Sequence, residues 1–83
     1  MIRDLNDERT RYSIDFGERL NTMRKNAGMT RRTLCHCAGV SETALQYYIS
    51  GRSEPTSYAI YRLALALGVS GDELLGLDGG DDD

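Results

Sequence analysis

The sequence has no apolar run of about 18 residues, so nothing in it reads as a membrane span. Met1 to Tyr12 carries Arg3, Asp4, Asp7, Glu8, Arg9 and Arg11, and so lacks the apolar segment of a secretory signal. Cysteine is scarce: Cys35 and Cys37 stand too close together to close a useful disulfide loop, and reduced thiols in a cytoplasmic protein are expected. Histidine occurs once, as His36 between them. Side chains of Cys-His-Cys on one helix spread by roughly 100° per residue, so three ligands cannot converge on one metal. With one histidine and no glycine-flanked serine elbow, a hydrolytic triad lacks its parts. No alternating apolar–polar stretch of strand type survives inspection. No enzyme, metal or cofactor is expected.

A surplus of positive charge is also missing, since the net charge is −3. The distribution matters more than the total. Between Phe16 and Arg62 lie seven basic residues (Arg19, Arg24, Lys25, Arg31, Arg32, Arg52, Arg62) against Glu18, Glu42 and Glu54, a balance of +4. The rest holds ten acids against three arginines, and Asp78, Asp81, Asp82 and Asp83 supply four of those acids. A basic middle between acidic ends is the charge pattern of a nucleic-acid binder with a solubilising tail.

What is present is helix punctuation. Phe16, Leu20, Met23 and Ala27 fall on one helical face, with Ser13 or Asp15 as the expected cap and Gly28 as the stop. Thr30 caps a second helix whose inner side is Leu34, Cys35 and Ala38. Gly39 ends it, and Ser41 caps a third helix with Leu45, Tyr48 and Ile49 inward and Gly51 at its end. The single proline, Pro55, sits in the loop Ser53–Thr56. Thr56 caps a fourth helix, Ser57 to Leu67, and Ser70 with Glu73 forms a capping-box pattern before a short fifth helix. The chain of 83 residues reads as one domain of all-α class, residues 15–76. Residues 1–14 read as an arm or extra turn, and residues 77–83 as an acidic disordered tail. Beside it no sizeable ligand-sensing or self-cleaving domain is expected.

The informative unit runs from Thr30 to Gly51. Only Gly39, Val40 and Ser41 separate two helices, so the chain must turn sharply and the second helix of the pair must project. The stretches FGERLNTMRKNAGMT, TRRTLCHCAGVSETALQYYISGRSEP and ALALGVSGDELLG, in this order, resemble the Cro and phage-repressor family of helix-turn-helix domains, also called Xre-like. The resemblance implies a five-helix lambda-repressor-like domain that sets its third helix in the DNA major groove. It implies base contacts from Glu42, Thr43, Gln46 and Tyr47, which share one stripe by i, i+3 and i+4 steps. Gln46 matches adenine N6 and N7, Thr43 a thymine methyl, and Glu42 cytosine N4 or the positive end of its own helix. Phosphate contacts are expected from Arg31 and Arg32 at the start of helix two and from Arg52 and Ser53 after helix three, with added attraction from Arg24 and Lys25. The sequence departs from the family where Arg31 replaces a usual glutamine, Cys35 a usual alanine and Ile49 a usual polar residue.

Tyr58, Tyr61 and Leu65 run i, i+3, i+7 beside the inner face of helix four. Such a stripe implies either a partner or a cover made by Ile2, Leu5 or Tyr12. With a partner, a two-fold homodimer is the default, and Leu74, Leu75 and Leu77 are further candidates for its surface. The expectation is a sequence-specific DNA-binding regulator of phage or bacterial type, a repressor that occupies a palindromic operator as a dimer on double-stranded DNA. The alternatives are an antitoxin or restriction-system controller of the same fold, or a protein-interaction module. Arg3, Arg9 and Arg11 leave open a minor-groove arm.

Overall fold

A computed structural model describes residues 3–77, with side chains from Glu8 onward. Five helices follow in order: α1 (Arg3–Asn26), α2 (Arg31–Ala38), α3 (Glu42–Ser50), α4 (Ser57–Leu67) and α5 (Gly71–Leu75). No strand occurs among the described residues.

Four helices start where a short hydroxyl side chain satisfies an orphan amide. Thr30 Oγ1 accepts from Thr33 N at 3.0 Å and Ser41 Oγ from Ala44 N at 3.0 Å. Thr56 Oγ1 accepts from Ala59 N at 3.1 Å. At α5 the box is reciprocal: Glu73 N donates to Ser70 Oγ at 2.9 Å, and Ser70 N donates to Glu73 Oε1 at 2.8 Å. Between α2 and α3 the chain reverses at Gly39, whose φ of 72° is the left-handed conformation that a Cβ disfavours.

The core is one cluster. Phe16 and Leu20 of α1, Leu34 of α2, Leu45 of α3, Leu63 of α4 and Leu74 of α5 are its fully buried large side chains. Met23, Val40, Tyr48, Ile49, Ile60 and Leu67 pack round them half-buried. Helix α1 packs on α3 and α5, while α2 packs on α3 and α4. The projecting α3 is thus held from behind by two helices.

The beginning of the chain departs from expectation. Neither Ser13 nor Asp15 caps α1: the helix is continuous from Arg3, and Ser13 is buried within it. Residues 3–14 are therefore neither a loose arm nor a single turn but roughly three helical turns. Ala27 lies beyond the helix end and is exposed. Tyr12 lies beside Phe16, ring centroids 6.5 Å apart. The side chains of Arg3, Ile2 and Leu5, and the tail Asp78–Asp83, fall outside the described residues, and with them the expectations placed there.

Candidate nucleic-acid interface

Helix α3 turns Leu45 inward at 1% exposure and leaves Glu42, Thr43, Gln46 and Tyr47 exposed on its other side. Ser50, one turn beyond Gln46, is also exposed and donates its hydroxyl to Tyr47 O at 3.2 Å. The sequence reading had not included it, although Gln46 to Ser50 is an i, i+4 step on the same face.

Polar and cationic groups flank both ends of this stripe. At the start of α2, Arg31 and Arg32 are exposed beside the Thr30 cap. Arg32 Nε lies 3.5 Å from Glu42 Oε2, both largely exposed, so the carboxylate at the first turn of α3 is tied to a cation as well as to its helix dipole. Beyond the far end of α3, Arg52 N and Ser53 N both donate to Tyr47 O, at 2.9 and 3.4 Å. The Arg52 guanidinium sits 5.8 Å from the centre of the Tyr47 ring, which fixes two long side chains together.

Between α2 and α3, Cys35 is 5% exposed and its thiol donates to Ser41 O at 3.6 Å. Burial, reinforced by the nearby Glu42 charge, pushes that thiol above its ordinary pKa, so less of it is thiolate at neutral pH. His36 and Cys37 face solvent. Iodoacetamide at about pH 8 is expected to modify Cys37 in the folded protein and to reach Cys35 only after denaturant is added. Equal labelling of both, read by mass spectrometry, would mean that the α2–α3 corner opens readily.

Residues 15–77 match the family model described as a helix-turn-helix domain. The chain belongs to the helix-turn-helix family. Among solved structures, it is similar to the restriction-modification controller protein C.AhdI from Aeromonas hydrophila. The two superpose with a TM-score of 0.72 at 28% identity, over 74% of this chain and 92% of that one. A search of curated proteins gives no match. The resemblance read from the G-V-S turn and its neighbours therefore holds, and this helix-turn-helix protein is a DNA-binding transcriptional regulator. No helix among its described residues is long and apolar enough to cross a membrane.

The regulator does not present all of its basic middle to a ligand. Arg19 donates to Leu74 O at 3.3 Å, and Arg24 donates to Met29 O at 2.6 Å and to Asn21 Oδ1 at 2.9 and 3.1 Å. Arg62 donates to Ala38 O at 3.1 Å and to Cys37 O at 3.3 Å. These three guanidinium groups satisfy carbonyl oxygens at the ends of α5 and α2 and in the α1–α2 loop. The added attraction expected of Arg24 is thus spent on holding a loop. No spacing in the sequence separates such an arginine from a phosphate ligand, because the carbonyls it meets belong to distant segments.

The apolar stripe on α4 is exposed: Tyr58 at 66%, Tyr61 at 56% and Leu65 at 60%. The two tyrosine rings lie 5.9 Å apart. Beside them a shallow apolar groove is lined by Ile60, Tyr61, Ala64, Leu65 and Val69. Leu75 is half-buried and Leu77 exposed. Leu74 is fully buried, which corrects its place among the dimer candidates: its methyls fill the core beneath α1 and α4 and offer no surface to a partner.

Proposed function

We infer that this regulator is a repressor that binds a palindromic operator as a homodimer and excludes polymerase by occupancy. The observation that carries the reading is the exposed stripe of Glu42, Thr43, Gln46 and Tyr47, bounded by Arg31 and Arg32 at one end and by Arg52 and Ser53 at the other. Gln46 offers adenine a bidentate amide, and Thr43 offers thymine its methyl. Glu42, held by Arg32, is assigned to cytosine N4 or to its helix terminus. Arg31, Arg32, Arg52 and Ser53 hold phosphates on either side and set the angle of α3. The exposed Tyr58, Tyr61 and Leu65, joined by Leu75, are assigned to the two-fold contact.

A second reading is favoured by the likeness to C.AhdI: a controller of a restriction-modification system, with the same DNA chemistry and different target genes. Selection of bound duplexes from a random pool at about 0.15 M salt tests the shared core of both. An inverted repeat with half-sites about 34–36 Å apart is expected. Sites of that sequence beside restriction and modification genes favour the second reading. Failure of the folded protein to enrich any sequence would sink both and move the surface to protein recognition.

A further inference from the structure

The family match begins at Asp15, whereas α1 begins at Arg3. The upstream turns of α1 reach the loop that follows α3. Arg9 grips Glu54 with two N–H groups, Nε to Oε2 at 2.7 Å and Nη2 to Oε1 at 3.1 Å. Further along the helix, Ile14 lies against Gly51 so closely that a Cβ there would sit 2.9 Å from Ile14 Cγ1 and 3.1 Å from Ile14 Cα. Arg9, Thr10 and Ser13 form one wall of a cleft, and Gly51 to Glu54 form the other. The same loop carries Arg52 over Tyr47.

Glu54 is the one carboxylate between α3 and α4, two residues from Arg52. Beside a phosphate backbone its charge would oppose the binding that Arg52 and Ser53 promote. Arg9 answers it with a bidentate fork, which also holds the Glu54 carboxyl below its ordinary pKa. The geometry points to Arg9 as a positioning residue for DNA binding, acting through Glu54: it neutralises that carboxylate beside Arg52 and Ser53, so that the loop meets the DNA backbone with its positive charge unopposed. This rests on the phosphate contacts proposed above for those two residues. The pair is exposed, with side-chain exposures of 76% and 35%, so its direct contribution to folding is small. Its effect belongs to the encounter with a polyanion, where an unmasked carboxylate acts at close range.

The test uses the full chain with its selected operator duplex and a random duplex, titrated with salt. Arg9→Met is expected to weaken both by about fivefold at 0.15 M salt, through a loss of about 0.9 from the log–log salt slope. Glu54→Gln is expected to bind as tightly as the unsubstituted chain or tighter, and the double variant to follow Glu54→Gln. Arg9→Lys, which keeps the charge, is expected to stay close to the unsubstituted chain. Unchanged affinity and slope in Arg9→Met would overturn the proposal. So would a double variant as weak as Arg9→Met, since Arg9 would then touch phosphate itself or serve the fold alone. Circular dichroism melts of each variant separate misfolding from lost binding. Absence of binding by the unsubstituted chain would defeat the DNA-contact reading first, and needs no substitution to see.

Discussion

Gly17→Ala is expected to lower the melting temperature by about 15 °C or more, whereas Gly71→Ala is expected to raise it by a few degrees. Both replace a hydrogen by a methyl group on helical backbone, and intrinsic preference favours alanine in the interior of a helix, where Gly17 lies, by about 1 kcal/mol. What separates them is the space beyond the Cα. Gly17 is buried where α1 crosses α3, and a Cβ there would lie 2.5 Å from the Tyr48 carbonyl oxygen and closer still to that of Ile49. Those atoms are backbone within a helix, so no side-chain rotation relieves the contact. Either α1 or α3 must move, and with it Phe16, Leu20 and Leu45. Overpacking of this kind costs about 3 kcal/mol or more, a large part of the stability of a small domain. At Gly71 a Cβ meets nothing within 4 Å, and the residue opens α5 with ordinary backbone angles. Only the reduced freedom of the unfolded chain then counts, worth about 0.4–1 kcal/mol. Thermal melts followed by circular dichroism check both. An unchanged melting temperature for Gly17→Ala would mean that α1 can slide off α3 at little cost. Because α3 presents the DNA-facing stripe, a shifted α1–α3 crossing would also re-aim Gln46 and Tyr47.

The punctuation of α2 to α5 was readable in the sequence, since caps and stops are local chemistry, whereas α1 runs through both of its expected caps, Ser13 and Asp15. Thr30, Ser41, Thr56 and Ser70 each act within three residues, and the structure places each where its spacing requires. Fold class followed from those caps together with the helical recurrence of Phe16, Leu20 and Met23. What escaped was non-local. The first-helix pattern of Phe16, Leu20, Met23 and Ala27 passes over Gly17, although a glycine in mid-helix is costly enough to signal a close approach. The role of Arg19 depends on a carbonyl 55 positions away, and that of Arg9 on a carboxylate 45 positions away. Charge counting treats every arginine alike, so it overstated the cationic surface. Leu74 was misplaced for the same reason: in a five-residue helix the pattern is too short to tell an inward leucine from an outward one.

Joint replacement of Arg31 and Arg32 by alanine is expected to weaken binding roughly thirty-fold at 0.15 M salt, on operator and random duplex alike. Each contributes one neutralised phosphate in the proposed arrangement, so the salt slope should fall by about 1.8. The two are not equivalent. Arg31 points to solvent, whereas Arg32 lies 3.5 Å from Glu42. Removing Arg32 alone also leaves the Glu42 carboxylate without that cation near the phosphates, so Arg32→Ala should lose more affinity than Arg31→Ala. Glu42→Gln should recover part of the difference. Gln46→Ala behaves differently. If its amide reads an adenine, the loss is about 1–3 kcal/mol on the operator and close to nothing on random duplex, and the preference relaxes at one base pair of each half-site. Fluorescence anisotropy on the two duplexes, across a salt series, resolves these cases. A Gln46 variant that loses operator and random binding equally would remove α3 as the reading element. An Arg31/Arg32 variant with an unchanged slope would remove the start of α2 from the phosphate path. The two outcomes are independent, because one measures a base edge and the other measures counterions. Together they decide whether the stripe and its flanking cations act as one DNA-binding surface.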